Sequence, residues 1–210
     1  MKSALLSHAD LARYCAKIYA DPHPDVDQHD VQAFFWQASS QELVCAVPGT
    51  HVDDLRQWLR DFRTLPERFD VGYLHKGFGS GGDALWGDVR MRIGMATMIT
   101  FTGHSLGSAI AQVLAAKCSA EIVGASFRVV GFGPPRVAFR LDTTFAPLLR
   151  RGKEWTLYAR HGDPVRNLPG RILYSHKTRV TEIGQVIDFP ESPANHSIDL
   201  YVNDLVALGV

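Results

Sequence analysis

Five residues, Gly103-His104-Ser105-Leu106-Gly107, lie between an apolar, β-branched run (Ala96 to Thr102) and an alanine-rich helical one (Ser108 to Lys117). A serine with a glycine two places before and two places after it, at a strand-to-helix junction, has the arrangement of a nucleophile elbow. The reason for the spacing is steric. A strand that turns sharply into a helix strains the serine backbone, and the flanking residues must be small for strand and helix to approach. Ser105 Oγ would then stand at the carboxyl edge of a sheet and at the positive end of a helix, where the Leu106 N–H can face a developing oxyanion. The plain structural alternative for the pentapeptide is a tight glycine-rich turn.

A serine hydroxyl is a weak nucleophile until a base takes its proton, and that base needs an acid to fix its tautomer. In hydrolases built around such an elbow the chain order is Ser, then Asp or Glu, then His. Asp163 follows the strand-like run Trp155 to Ala159, and His196 sits in Ala194-Asn195-His196-Ser197, ahead of the last helical segment. Loops at strand ends are where such residues belong. His161 and His176 are alternative bases, and Asp142, Asp188 and Asp199 alternative acids. As a structural residue His196 would cap a helix or be a core histidine hydrogen-bonded to backbone. His104 is expected to pack beside the sheet rather than to transfer protons.

These residues need a rigid frame, and the pattern of the chain supplies one. Helical periodicity covers Ala9 to Ala20, Leu55 to Phe62, Ala84 to Met95, Ser105 to Lys117, Arg136 to Arg150 and His196 to Leu208. Strand-like runs cover Val31 to Ala38, Glu42 to Val47, Thr97 to Thr102, Phe127 to Phe132, Trp155 to Arg160, Ile172 to Tyr174 and Val180 to Ile187, with a hairpin through Ser39-Ser40. Alternating strands and helices predict an α/β fold with a mostly parallel central sheet covered by helices on both faces. With 210 residues, one domain is expected over the whole chain.

Composition excludes several classes. Lys plus Arg equals Asp plus Glu at 22 each, so there is no nucleic-acid footprint and no overall attraction to anionic lipid. No run of about 18 apolar residues suggests a membrane span. The start, Met1 to His8, becomes amphipathic (Leu11, Tyr14, Cys15, Ile18) without a signal-peptide core, so a cytoplasmic protein is expected, with export independent of a cleavable signal as the alternative. Cys15, Cys45 and Cys118 are too scattered for a disulfide framework or zinc knuckle and should be free, buried thiols. Asp21 to Asp30 holds two histidines and four aspartates, but its spacing matches no metal motif, and a polar loop is expected there.

Several segments in one order carry a resemblance. They are Pro48-Gly49-Thr50 with Leu55-Arg56-Gln57-Trp58-Leu59; Leu74-His75-Lys76-Gly77-Phe78; the elbow; Gly131-Phe132-Gly133-Pro134-Pro135-Arg136-Val137; Asp163-Pro164-Val165; and His196. From about Val31 onward the chain resembles the class 3 lipase family, the fungal-type triacylglycerol lipases of α/β-hydrolase fold. The resemblance implies a triad of Ser105, Asp163 and His196, with an oxyanion hole from Leu106 and Thr50. It implies architectural roles for His75-x-Gly77-Phe78 and Pro135-Arg136-Val137, an acyl ester or lipid substrate, and no cofactor. A phospholipase or an acyltransferase would use the same triad, and a silent binding module would keep the fold without turnover. Pro48 stands where the family commonly has arginine. The space of the family's lid holds little beyond Arg63 to Asp70, so weak interfacial activation is expected. Nothing in the sequence bears on oligomeric state.

Overall fold

The computed structural model describes residues 5–21, 23–28, 31–49, 64–94, 96–186 and 191–210. In chain order its elements are α1 (His8–Ile18), β1 (Val26–Gln28), β2 (Val31–Gln37), β3 (Glu42–Val47), β4 (Pro66–Phe69), β5 (Gly72–His75), α2 (Lys76–Ile93) and β6 (Met98–His104). There follow α3 (Leu106–Glu121), β7 (Phe127–Phe132), β8 (Ala138–Phe139), α4 (Phe145–Leu149), β9 (Glu154–Arg160), β10 (Tyr174–Ser175), β11 (Val180–Ile183) and α5 (Ile198–Leu208). The central sheet has the order β1-β2-β3-β6-β7-β9-β11. From β3 onward its neighbours are parallel, while β1 and β2 pair antiparallel at one edge.

Burial explains the sequence character of the strands. Every residue of β3 and β7 is buried, as parallel strands covered on both faces must be. On one face α2 and α3 pack Phe78, Leu85, Trp86, Ile110 and Val113 against Phe101 and Val129. On the other, α1 and α5 pack Leu11, Cys15, Tyr201 and Leu205 against Phe34, Val44 and Phe132. The three cysteines are free and buried, and burial pushes the thiols of Cys15 and Cys118 up to about 12, which leaves them poorly reactive.

A buried ion pair fixes the amino-terminal segment to the sheet. Arg128 Nη2 donates to Glu42 Oε1 (2.9 Å) and to the Leu6 carbonyl (2.9 Å), and Glu42 Oε2 accepts the Leu6 N–H (3.2 Å). Thr100 Oγ1 donates to Glu42 and accepts from Arg128 Nε, so both buried charges are hydrogen-bonded as their desolvation requires.

The structure corrects several element boundaries. Helix α2 begins at Lys76, not near Ala84, because glycines that weaken the helical pattern are needed for packing. A Cβ at Gly82 would lie 2.3 Å from Val113 Cγ1, and one at Gly79 would lie 2.3 Å from the Phe69 ring. Lys117 of α3 then reaches Asp83 of α2 at 2.6 Å and Asp70 at 2.8 Å. Arg136 to Arg150 is not one helix. Ala138 and Phe139 join a second, four-stranded sheet, ordered β10-β8-β5-β4, and α4 starts only where Asp142 Oδ1 accepts the N–H groups of Thr144 and Phe145. That antiparallel sheet, absent from the sequence reading, also takes Pro66–Phe69, part of the segment assigned to the short lid. Val26–Gln28, expected as loop, pairs with β2, and the strand near Ile172 shrinks to Tyr174–Ser175. The helix expected over Leu55 to Phe62 lies outside the described residues.

Gly82→Ala therefore forces α2 away from α3. A loss of about 1–3 kcal/mol of stability is expected from such overpacking, read as a lower denaturant midpoint at unchanged slope.

Candidate active site

Strand β6 delivers Ser105 from the middle of the parallel sheet. Ser105 has φ 58° and ψ −126°, and among the described residues no other non-glycine has a positive φ. The cause is the passage of the β3 end across the turn. A Cβ at Gly107 would fall 2.0 Å from the Val47 carbonyl oxygen, and one at Gly103 would fall 2.7 Å from the same atom. Glycine at both places lets the backbones touch, and the serine absorbs the reversal. The Ser105 N–H donates to the Phe132 carbonyl (2.9 Å), tying the elbow to β7. Leu106 is the first residue of α3, so its N–H is among the amides a helix leaves without an internal acceptor.

The acid and base come from two loops. Asp163 follows β9, and His196 ends the 3-10 turn Pro193–His196, which Ser192 caps by accepting the Ala194 N–H. The two loops are joined where the Ser192 N–H donates to the Gly162 carbonyl (2.9 Å). His196 Nδ1 lies 2.7 Å from Asp163 Oδ2, with both side chains buried. Asp163 also accepts the Val165 N–H (2.8 Å) and the Tyr201 hydroxyl (2.5 Å). Burial, with Asp163 beside it, holds the Tyr201 phenol protonated and far above its ordinary range. Behind the pair is Gly133, at φ +56°, where a Cβ would sit 2.7 Å from His196 Cε1 and 3.2 Å from Asp163 Oδ2. Ser105 Oγ and His196 Nε2 are buried, and neither has a hydrogen-bond partner among the described residues.

His104 packs within this group. Its ring centre is 4.4 Å from that of His196, and its Nδ1 is 2.7 Å from the Tyr19 hydroxyl. Burial, and then the neighbouring His196, drive its pKa well below the ordinary histidine value, so it stays neutral. Tyr19 also hydrogen-bonds the backbone of Gly49, linking α1 to the end of β3. Tyr19 and Tyr201 carry no sequence signal: each is brought to the site by an element remote in the chain, and no local pattern marks it. Gly133 lies in the segment from Gly131 to Val137 that carries the resemblance, which gave it no role at the triad.

Among the described residues the competing acids and bases are engaged elsewhere. His161 pairs with Glu182 at 3.1 Å, and His176 Nε2 with the Arg166 carbonyl at 2.8 Å. Asp142 is spent on three backbone N–H groups, and Asp199 stands in the first turn of α5. Asp188 and Thr50 lie outside the described residues. The segments read as architectural do brace the site. His75 Nε2 is 2.6 Å from Thr64 Oγ1, and Arg136 holds the loop after Asp163 through the carbonyls of Asn167 and Pro169.

The sequence profile of the class 3 lipases matches residues 44–172, more than half of the chain. The chain belongs to the class 3 lipase family. Solved fungal lipases share its fold. The triacylglyceride lipase of Rhizomucor miehei aligns at a TM-score of 0.63 and 20% identity, over 73% of this chain and 62% of that one. An MDLA variant from Penicillium cyclopium aligns at 0.65 and 17% identity, over 90% and 83%. Lipase II from Rhizopus niveus aligns at 0.57 and 19%, over 68% and 57%. This chain thus spans under two thirds of the Rhizomucor and Rhizopus lipases. No curated protein matches its sequence. These neighbours share the α/β-hydrolase fold with this chain. They also correct the expected cytoplasmic location. The neighbours are secreted fungal lipases, one solved with its propeptide, so the character of Met1 to His8 does not place the protein in the cytoplasm. No helix among the described residues is long and apolar enough to cross a membrane.

Burial holds His75 and His176 at about 4, against an ordinary value of 6.5. Between these limits the unfolded chain binds protons that the folded chain refuses. Stability is therefore full above about pH 6.5 and falls as the pH drops toward 4, by up to about 1.4 kcal/mol per pH unit for each histidine. Unfolding midpoints measured across this window should decline with acidification, and less steeply in His176→Gln.

Proposed function

We propose that this protein hydrolyses carboxylic esters of acyl chains, with Ser105 as nucleophile, His196 as general base and Asp163 as the carboxylate that orients it. The observation that carries this reading is the buried 2.7 Å contact between His196 and Asp163 beside a strained, unpartnered Ser105 hydroxyl. His196 Nδ1–H donates to Asp163, which leaves Nε2 as the acceptor for the serine proton. Contacts between nucleophile and base commonly tighten only when substrate arrives.

Ser105 Oγ attacks the ester carbonyl as its proton passes to His196. The Leu106 N–H, with Thr50 as second donor, meets the oxyanion. The imidazolium then protonates the leaving alcohol, and water, activated by the same histidine, releases the acid. Asp163 supports the cationic imidazole while its own charge is held by Tyr201 and the Val165 N–H. Neutral His104, in ring contact with His196, adds no competing positive charge. The substrate class is an acyl or lipid ester, a carboxylesterase or lipase reaction.

A chain-length series of chromogenic acyl esters, soluble and emulsified, tests this reading. Ser105→Ala should lose activity by at least about a thousandfold, and a fluorophosphonate should label wild-type Ser105 alone. If the wild type turns over no ester and takes no label, the hydrolase reading fails. With so short a lid space, the rate should rise smoothly through the solubility limit of a long-chain ester; a sharp jump there would refute weak interfacial activation. Tyr201→Phe should lower kcat about 10- to 100-fold, the worth of a hydrogen bond to a buried carboxylate.

A further inference from the structure

The zero formal net charge hides a segregation. Between Gly131 and Val180 the chain has ten Arg and Lys against three Asp and Glu, and the rest has the opposite excess. Part of this positive charge gathers on the second sheet, in a groove of about 530 Å³ lined by Arg136, Arg140, Arg171, Ile172, Tyr174 and His176. Among the described residues no acidic side chain lines it.

The carboxylates nearby are committed elsewhere. Asp142 turns inward to the N–H groups of Tyr73, Thr144 and Phe145. Glu182 is held by Arg166 and His161, and Glu191 by Asn167. Arg136 is fixed by the carbonyls of Asn167 and Pro169, which satisfy its donors without cancelling its charge. The exposed side chains of Arg140 and Arg171 have no hydrogen-bond or ion-pair partner among the described residues. The field is felt locally. The pKa of Arg136 is lowered by burial and then by Arg166 and Arg171.

Apolar residues stand beside these charges. Leu141, next to Arg140, is 75% exposed, and Ile172, next to Arg171, is 82% exposed. The two turns are bound together, since the Arg140 N–H donates to the Leu173 carbonyl (2.7 Å) and β8 pairs with β10. Each turn thus offers one free guanidinium and one exposed aliphatic side chain. A soluble anion would use the guanidiniums but gain nothing from the aliphatic pair. A bilayer surface uses both, with phosphates on the arginines and the aliphatic tips at the acyl boundary.

We propose that the paired turns Arg140-Leu141 and Arg171-Ile172 form a binding surface for anionic phospholipid bilayers, separate from the candidate triad. The sequence-level expectation that zero net charge gives no attraction to anionic lipid is thereby revised. What matters is local charge within a Debye length of the membrane, not the sum over the molecule.

The test is co-sedimentation of full-length Ser105→Ala protein with phosphatidylglycerol or phosphatidylcholine vesicles, so that hydrolysis does not intrude and failure of the hydrolase reading leaves the result intact. Binding to phosphatidylglycerol alone, weakened by salt, is expected. Arg140→Gln with Arg171→Gln should weaken it about 25-fold, since each cation near the surface contributes about fivefold. Leu141→Ser with Ile172→Ser should weaken it several-fold. All four positions are exposed, and unchanged thermal midpoints verify folding. Equal binding to both vesicles, no binding to either, or arginine variants that bind like the parent would overturn the proposal. Loss in the arginine pair with none in the aliphatic pair would also overturn it, in favour of a soluble phosphate ligand.

Discussion

The close passage of β3 over the β6–α3 turn is the constraint on which the site depends. Backbone atoms of Val47 and Pro48 occupy the space that side chains at 103 and 107 would need, so both residues are glycine. The turn between them can reverse only if Ser105 takes a left-handed backbone, at a cost of about 1–3 kcal/mol. That cost is borne by the surroundings. Helix α3 is buried along nearly its whole length, and β6 is hydrogen-bonded on both sides by parallel strands. A serine hydroxyl is thereby held at a fixed point, at the start of a helix whose first amides are unspent.

The candidate base, His196, is fixed by a different device. A buried carboxylate is tolerable only when its oxygens are satisfied. Asp163 meets this with a backbone N–H, a tyrosine hydroxyl and the ring of His196. The face that supplies these partners is built from α1 and α5, the same helices that close the second hydrophobic cluster. Packing and chemistry thus share residues. Tyr201 fills the core with its ring and orients the carboxylate with its hydroxyl, and Tyr19 does the same between His104 and Gly49.

The second sheet adds Leu74 and Ala138 to the core on the α2–α3 face and braces the site. Arg136 anchors the loop that follows Asp163, and Tyr174 donates to the Thr64 carbonyl beside the His75 ring. Its outer turns are free of that duty and expose arginines and aliphatic side chains to solvent.

The sequence by itself determined the elbow, the order of Ser105, Asp163 and His196, the buried parallel strands and the family. All of these rest on local signals, namely small residues at fixed spacing, continuous apolar runs and segments in a conserved order along this chain's own length. It misplaced the start of α2, because Gly79 and Gly82 serve a helix-to-helix contact and read locally as breakers. It merged Arg136 to Arg150 into one helix and missed the four-stranded sheet, whose two- to four-residue strands are selected by partners rather than by propensity. Only the tertiary structure brought Asp163 to His196, since which carboxylate meets which imidazole is a matter of loops distant in sequence. Only it recruited Tyr19 and Tyr201, and gathered part of the positive charge of the segment from Gly131 to Val180 into one groove on the second sheet.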